Sequence, residues 1–288
     1  MTEYVSLLDR LTENLTLPEG YDRWGMKTVD ALRRTRNEFP WPAVGGEVKS
    51  WDGRGIARAD SACPWSPGDG LTVALDPEQM SSGGLSVHAI LTVAYREEDV
   101  VGREPWKIRT KGYVRVVGEA LLGDLDLRGV HLGRLDAQRV YARYVRLSGS
   151  LLHEAKFDYA DLCSADLSRA DLTGALIHAA ELSYADLQGA NLSYVDLQGA
   201  ELYYADLQGA NLSHADLQGA NLSHVDLQGA ELSHADLQGA NLSYVDLQGA
   251  ELCGASFPLA NMWGARVDGK HQGTGRFSTV QEKQIAWV

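Results

Sequence analysis

Side chains able to do chemistry occur in two patterns, one scattered and one ranked. The scattered set lies in the first hundred residues. Gly53-Arg54-Gly55 and Gly68-Asp69-Gly70 have the form of phosphate-loop fragments. Neither completes a G-x-G-x-x-G or Walker sequence, so both read as turns, where Gly and Asp ease a chain reversal. Glu97-Glu98-Asp99 has the composition of an acid pair or a metal patch. A run of like charges at a strand end reads instead as a solvated face. His88 sits beside Val87, Ala89 and Ile90 and reads as a partly buried histidine rather than a base. Neither G-x-S-x-G nor H-E-x-x-H occurs. No catalytic residue, cofactor or metal ion is expected, and the chain does not read as an enzyme.

The ranked set is carboxylates. Asp166, Asp186, Asp206, Asp226 and Asp246 recur at equal intervals, Asp196, Asp216 and Asp236 fall between them, and Glu181, Glu201, Glu231 and Glu251 occupy equivalent places. What positions them is a five-residue unit: a small residue, a polar one, a leucine, then two variable residues. Ala185-Asp186-Leu187-Gln188-Gly189 and Ala190-Asn191-Leu192-Ser193-Tyr194 show it clearly. The register runs from Ala120 to about Gly269 without a slip. A period of five matches neither the 3.6 of a helix nor the 2.0 of a strand. Fixed self-similarity of this kind means a stacked repeat. Two buried positions per unit suggest one short side of a coil with a turn at each end, and the number of sides that close a coil is left open. In the early units Leu135-Asp136-Ala137 and Val140-Tyr141-Ala142 the large residue comes first and the small one third. Total core volume is about conserved, so these units still count as coil.

Charge follows the same division. Of a net charge of −13, residues 1–119 contribute 18 acidic against 15 basic side chains, while residues 150–251 hold 16 acidic against only Lys156 and Arg169. Direct nucleic-acid binding is disfavoured, since no basic stripe exists to displace counterions. No apolar run reaches the length of a membrane span, and the start, Met1-Thr2-Glu3-Tyr4, lacks the basic and apolar regions of a signal peptide. A cytoplasmic location is expected. The three cysteines, Cys63, Cys163 and Cys253, are too few and too widely spaced for a disulfide framework or a zinc site.

The first 115 residues read as a small α+β domain of no recognised family. Tyr4, Leu7, Leu8, Leu11 and Leu15 predict a helix over residues 3–15, and a second helix is predicted over about Met26 to Asn37. Leu71–Leu75, Val87–Tyr95 and Ile108–Val117 predict strands.

The A-(D/N/E)-L-x-x register, sustained for about thirty units, resembles the pentapeptide-repeat family. That resemblance implies a mainly β chain: a right-handed, four-sided β-helix of about 20 residues per coil over residues 116–269, behind the α+β domain of residues 1–115. It implies that the first and third residues of each unit point inward. Four buried leucines per coil then contribute roughly 6–12 kcal/mol of gross burial. Leu151 and Leu176 fall on outward places. Cys163 and Cys253 would lie on opposite faces, beyond disulfide reach.

In such a coil, residues twenty apart stack about 4.8 Å apart. The aspartates become two columns on opposite faces, with Gln188, Gln208, Gln228 and Gln248 beside the first. Tyr184, Tyr204, His224 and Tyr244 stack on one corner, and Tyr194, His214 and His234 on the corner across. His214 and His234 invite a metal, but two histidines without a carboxylate are a thin ligand set, and ring stacking is expected. Three carboxylates per coil amount to about one charge per 1.6 Å of axis, against about one per 1.7 Å in duplex DNA. Some family members mimic duplex DNA, occupy the DNA-binding saddle of DNA gyrase and confer quinolone resistance. The resemblance therefore implies a non-catalytic protein that offers its acidic rod to a partner with a cationic, DNA-binding surface, a type II topoisomerase being the most concrete. Unlike those members, this chain carries a long region before the coil and no protruding loop. A structural scaffold or spacer docked through its N-terminal domain is the alternative, and an enzymatic N-terminal domain with the coil as a handle is a third. Phe257, Trp263, Ile285 and Trp287, with residues 270–288, are expected to cap the coil or to join two copies through their C-termini. Thr279-Val280-Gln281-Glu282 has capping-box spacing.

Overall fold

The computed structural model describes residues 5–29, 44–45, 47–49, 71–74, 89–104, 107–110, 113–121, 125–135 and 137–288. Gly53-Arg54-Gly55, Gly68-Asp69-Gly70, His88 and Cys63 lie outside them. In the repeats, the second residue of a unit bridges in parallel to the residue twenty places on, as in Asp166 to Asp186 to Asp206. Four five-residue sides thus close each turn of a right-handed β-helix, and the chain is mainly β.

The backbone of one unit shows why this sequence closes into a coil. In the side from Ala185, Asp186 N–H donates back to Ala165 O, while Leu187 and Gly189 N–H donate forward to Asp206 O and Gln208 O. Ala190 N–H turns back to Leu187 O. The fourth residue's N–H has no backbone partner and is met by a side chain, described below. The fifth residue turns the corner in the left-handed region, with φ of 61° at Gly189 and 58° at Tyr194. The inward alanines and leucines form one continuous core, nearly all of them 0–2% exposed. Leu135, Ala137, Val140 and Ala142, the size-swapped pairs, are buried in the same core. Ser150 also points inward, and its hydroxyl is satisfied by Leu147 O at 2.7 Å. Leu176 stands outward and exposed, and Leu151 is half-buried.

Ahead of the coil lie β1 (Val5–Ser6), α1 (Leu7–Thr12), β2 (Arg23–Val29), β3 (Glu47–Lys49), β4 (Leu71–Ala74), β5 (Ala89–Tyr95), β6 (Val100–Glu104), β7 (Lys107–Thr110) and β8 (Tyr113–Leu121). β2 to β8 form one antiparallel sheet in the order β3-β8-β5-β2-β4-β7-β6. Three expectations are corrected here. Met26 to Val29 is the end of a strand rather than the start of a helix: Arg23, Gly25 and Lys27 alternate with Trp24, Met26 and Thr28, a period of two, and all seven residues of β2 pair with β5. Residues 30–37 of that predicted helix lie outside the described ones. The predicted strand Ile108–Val117 is two strands, since β7 pairs with β4 and β6 while β8 pairs with β3 and β5. The first helix is also shorter than predicted. Val5 and Ser6 pair in parallel with Val130 and His131 (β9), the first turn of the coil. Leu8 and Leu11 of α1 pack on the coil's core, so the helix covers the open end.

The far end is covered by the chain's last residues. β10 (Arg266–Val267) pairs in parallel with β11 (Ala286–Trp287) at the same twenty-residue offset, although residues 270–288 do not follow the five-residue letters. Between them lies α2 (Thr279–Glu282), whose capping box is one residue earlier than its sequence spacing indicated. Ser278 is the N-cap, and Gln281 answers it. Gln281 does more. Its Nε2 donates to Phe257 O at 2.7 Å and to Ala260 O at 3.1 Å, the latter a carbonyl of the last coil with no further strand to meet. Ala260 N–H also reaches Phe257 O, so Gln281→Ala strands only Ala260 O, at a cost of about 1–2 kcal/mol. In amide exchange it should speed opening of the last coil and leave the coil around Leu207 as protected as in the parent.

Candidate partner-binding surface

The fourth N–H of each unit points out at a corner, where no backbone carbonyl of a neighbouring coil lies to accept it. In aspartate units it is taken by the side chain two residues back, an Asx turn. Asp186, Asp206 and Asp226 Oδ1 accept from Gln188, Gln208 and Gln228 N–H, each at 3.0 Å. Asp166 and Asp246 do the same at 3.2 and 3.1 Å, as do Asp196, Asp216 and Asp236 on the opposite face at 3.0, 3.1 and 3.0 Å. Asparagine serves equally, as at Asn191, Asn221 and Asn241. Glutamate is one methylene too long. Among the described residues, Glu181, Glu201, Glu231 and Glu251 take no such bond. The ranked acids are therefore of two kinds, aspartates that form the turn and glutamates that do not, although Glu201 accepts from Asn221 Nδ2 at 2.8 Å.

The second carboxylate oxygen ties coil to coil. Gln188 Nε2 donates to Asp206 Oδ2 at 2.6 Å, Gln208 to Asp226 at 2.7 Å, and Gln198 to Asp216 at 2.6 Å. These donors are neutral, so they fix the carboxylates without cancelling their charge. Cations meet the coil's acids only toward its ends among the described residues, with Arg266 on Asp246 at 2.6 Å, Lys270 near Glu251 at 3.9 Å and Arg143 near Asp161 at 3.5 Å. Most of the aspartates are half-buried and Asp246 is buried, whereas Glu181, Glu231 and Glu251 are exposed.

Two opposite corners carry aromatic rings. Tyr184, Tyr204, His224 and Tyr244 stack with centroids 5.6, 4.7 and 4.9 Å apart, and Tyr194, His214 and His234 at 4.8 and 5.0 Å. His214 and His234 are within 9° of parallel. Nitrogen lone pairs lie in the ring plane, so rings stacked in this way cannot converge on one ion. Among the described residues, no group of three or more His, Cys, Asp or Glu side chains is placed to hold a metal. Each ring leans toward the coil that follows it. A Cβ built on Gly254 would meet the His234 ring at 2.5 Å, and one on Gly264 would meet Tyr244 at 2.7 Å, so both stacks end on glycine.

The remaining candidates resolve into structural roles. Glu97 pairs with Arg23 at 3.2 Å, and its N–H donates to Asp22 at 2.8 Å. Cys163 is a buried free thiol whose pKa is raised, chiefly by burial, and Cys253 is free and exposed. Phe257 and Ile285 are buried at the capped end, Trp287 is half-buried, and Trp263 is exposed. No helix among the described residues is long and apolar enough to cross a membrane.

The family model for pentapeptide repeats matches eight copies between residues 146 and 269. The coil belongs to the pentapeptide-repeat family. Its sequence is similar to that of a pentapeptide repeat protein from the Arabidopsis thaliana thylakoid lumen, 34% identical over 35% of this chain and 63% of that one, with a TM-score of 0.26. HetL, a pentapeptide repeat protein involved in heterocyst differentiation regulation in the cyanobacterium Nostoc, is 32% identical over 48% of this chain and 82% of its own, at 0.22. The plasmid-mediated fluoroquinolone resistance protein QnrB1 is 20% identical over 51% and 79%, at 0.38. All three scores lie below 0.5. No curated protein is detectably similar to this chain. The region before the pentapeptide repeats is unmatched by the family model.

Proposed function

We propose that this protein is a non-catalytic binding protein whose acidic coil engages a partner through that partner's cationic, DNA-binding surface, with DNA gyrase as the partner to test first. One observation carries the reading. From residue 170 to residue 265 the chain has twelve carboxylates and no lysine or arginine, and the aspartates among them, apart from Asp246 on Arg266, are held in fixed ranks by neutral donors. A charge array that is rigid before contact loses little entropy on binding. Its density along the axis is close to that of duplex DNA. A cytoplasmic location follows from such a partner and is part of the proposal.

The test is a gyrase supercoiling assay with added full-length protein. Inhibition is expected, fading as salt is raised because the attraction is between exposed charges. No inhibition at any protein concentration, at low salt, removes gyrase as the partner. Inhibition indifferent to salt removes the electrostatic basis.

A further inference from the structure

The corner that carries Tyr194 also holds Arg134, Glu154 and Gly174 at twenty-residue intervals before it. Each side chain in this series leans on the next, with one interruption. Arg134 Nε meets Glu154 at 2.8 Å, and Tyr194 stacks on His214. At Gly174 there is no side chain. A Cβ built there would touch only Glu154 Cγ, at 3.8 Å, and no atom of Tyr194 within 4 Å. One face of the Tyr194 ring therefore looks toward Glu154 across a step with no side chain of its own, the two backbones being two coil spacings, or about 9.6 Å, apart. Tyr194 is 64% exposed.

The next corner along the coil shows what fits such a step. There Arg139 lies over the Tyr159 ring at 5.6 Å, coming from the preceding coil. A planar cation covers the ring face that Tyr194 leaves open.

We infer that Gly174 marks a slot for a guanidinium, formed by the Tyr194 ring on one side and the Glu154 carboxylate on the other, and that an arginine side chain of the partner occupies it. Asp171 and Asp196, on the two sides that meet near this corner, add to the attraction for a cation. Lysine would share Glu154 with Arg134 just as well but lacks the plane that stacks on the ring. This inference rests on the proposal of a cationic partner and names the contact that selects arginine.

The test uses the full-length protein with labelled deca-arginine and deca-lysine peptides as probes, read by fluorescence anisotropy. Tyr194→Gly removes the ring at a backbone angle that glycine prefers. It is expected to weaken deca-arginine binding about threefold and leave deca-lysine binding unchanged. Glu154→Gln is expected to weaken both. Should Tyr194→Gly fail to fold, Tyr194→Asn, also tolerant of positive φ, gives the same reading. An equal loss for both peptides, or no loss for either, overturns the slot. If the parent binds neither peptide at low salt, the cationic-partner proposal falls and the slot with it. If it binds both and Tyr194→Gly changes nothing, only the slot falls.

Discussion

Asp186, Asp206 and Asp226 replaced together by asparagine are expected to abolish inhibition of gyrase while leaving the coil at least as stable as the parent. The structure supplies the control. Asparagine already occupies the same place in the unit at Asn191, Asn221 and Asn241, where Oδ1 accepts the corner N–H two residues on. Asn241 and Asn261 amides also donate to the asparagine one coil earlier, at 3.1 and 3.0 Å, so a column of asparagines is itself bonded from coil to coil. The triple variant thus keeps the turn and the ladder and loses three charges. It also removes repulsion between stacked carboxylates, about 1 kcal/mol per neighbouring pair in water. Supercoiling assays and thermal melting separate the two effects. Full inhibition by a well-folded triple variant would rule out this column as the binding surface.

The second large effect lies in the core. Leu217→Ala is expected to cost about 3–4 kcal/mol, measured by urea unfolding. Leu217 is fully buried between Leu197 and Leu237, themselves no more than 1% exposed. The site cannot close over a cavity, because the backbone on both sides is tied to its neighbours: Asp216 N–H bonds Val195 O at 2.9 Å and Leu217 N–H bonds Asp236 O at 2.8 Å. Leu259, on a corner and 87% exposed, is the contrast, and its replacement by alanine should change stability by no more than about 0.5 kcal/mol. Equal losses at the two leucines would contradict the inward and outward assignment of the unit.

The coil was legible because each of its five positions has one physical task, and most residue types can meet only one of them. Inward alanine and leucine, outward acids and the stacked Tyr and His columns all follow from that register once four sides are granted. The Asx role of the aspartates was available too. The D/N-L-x order places a short acceptor two residues before an outward N–H. The ends were harder to read. Val5 and Ser6 join the coil through backbone pairing, which no pattern of side chains announces. Ala286 and Trp287 return at the twenty-residue offset after a detour whose letters carry no repeat. In the N-terminal sheet, Arg23–Val29 alternates too briefly to outweigh the helical spacing that starts at Met26. Ile108–Val117 reads as one apolar strand because Lys111-Gly112 interrupts it without changing its overall character.

α1 at one mouth of the coil and Gln281 at the other make it a segment of definite size. A parallel β-helix with bare rims could recruit its own kind rim to rim and grow into filaments. Here both rims are occupied by the chain itself. Gain or loss of twenty residues in the middle would lengthen or shorten the segment by one storey and leave its two closures intact, so evolution can adjust its span as one resets a ruler.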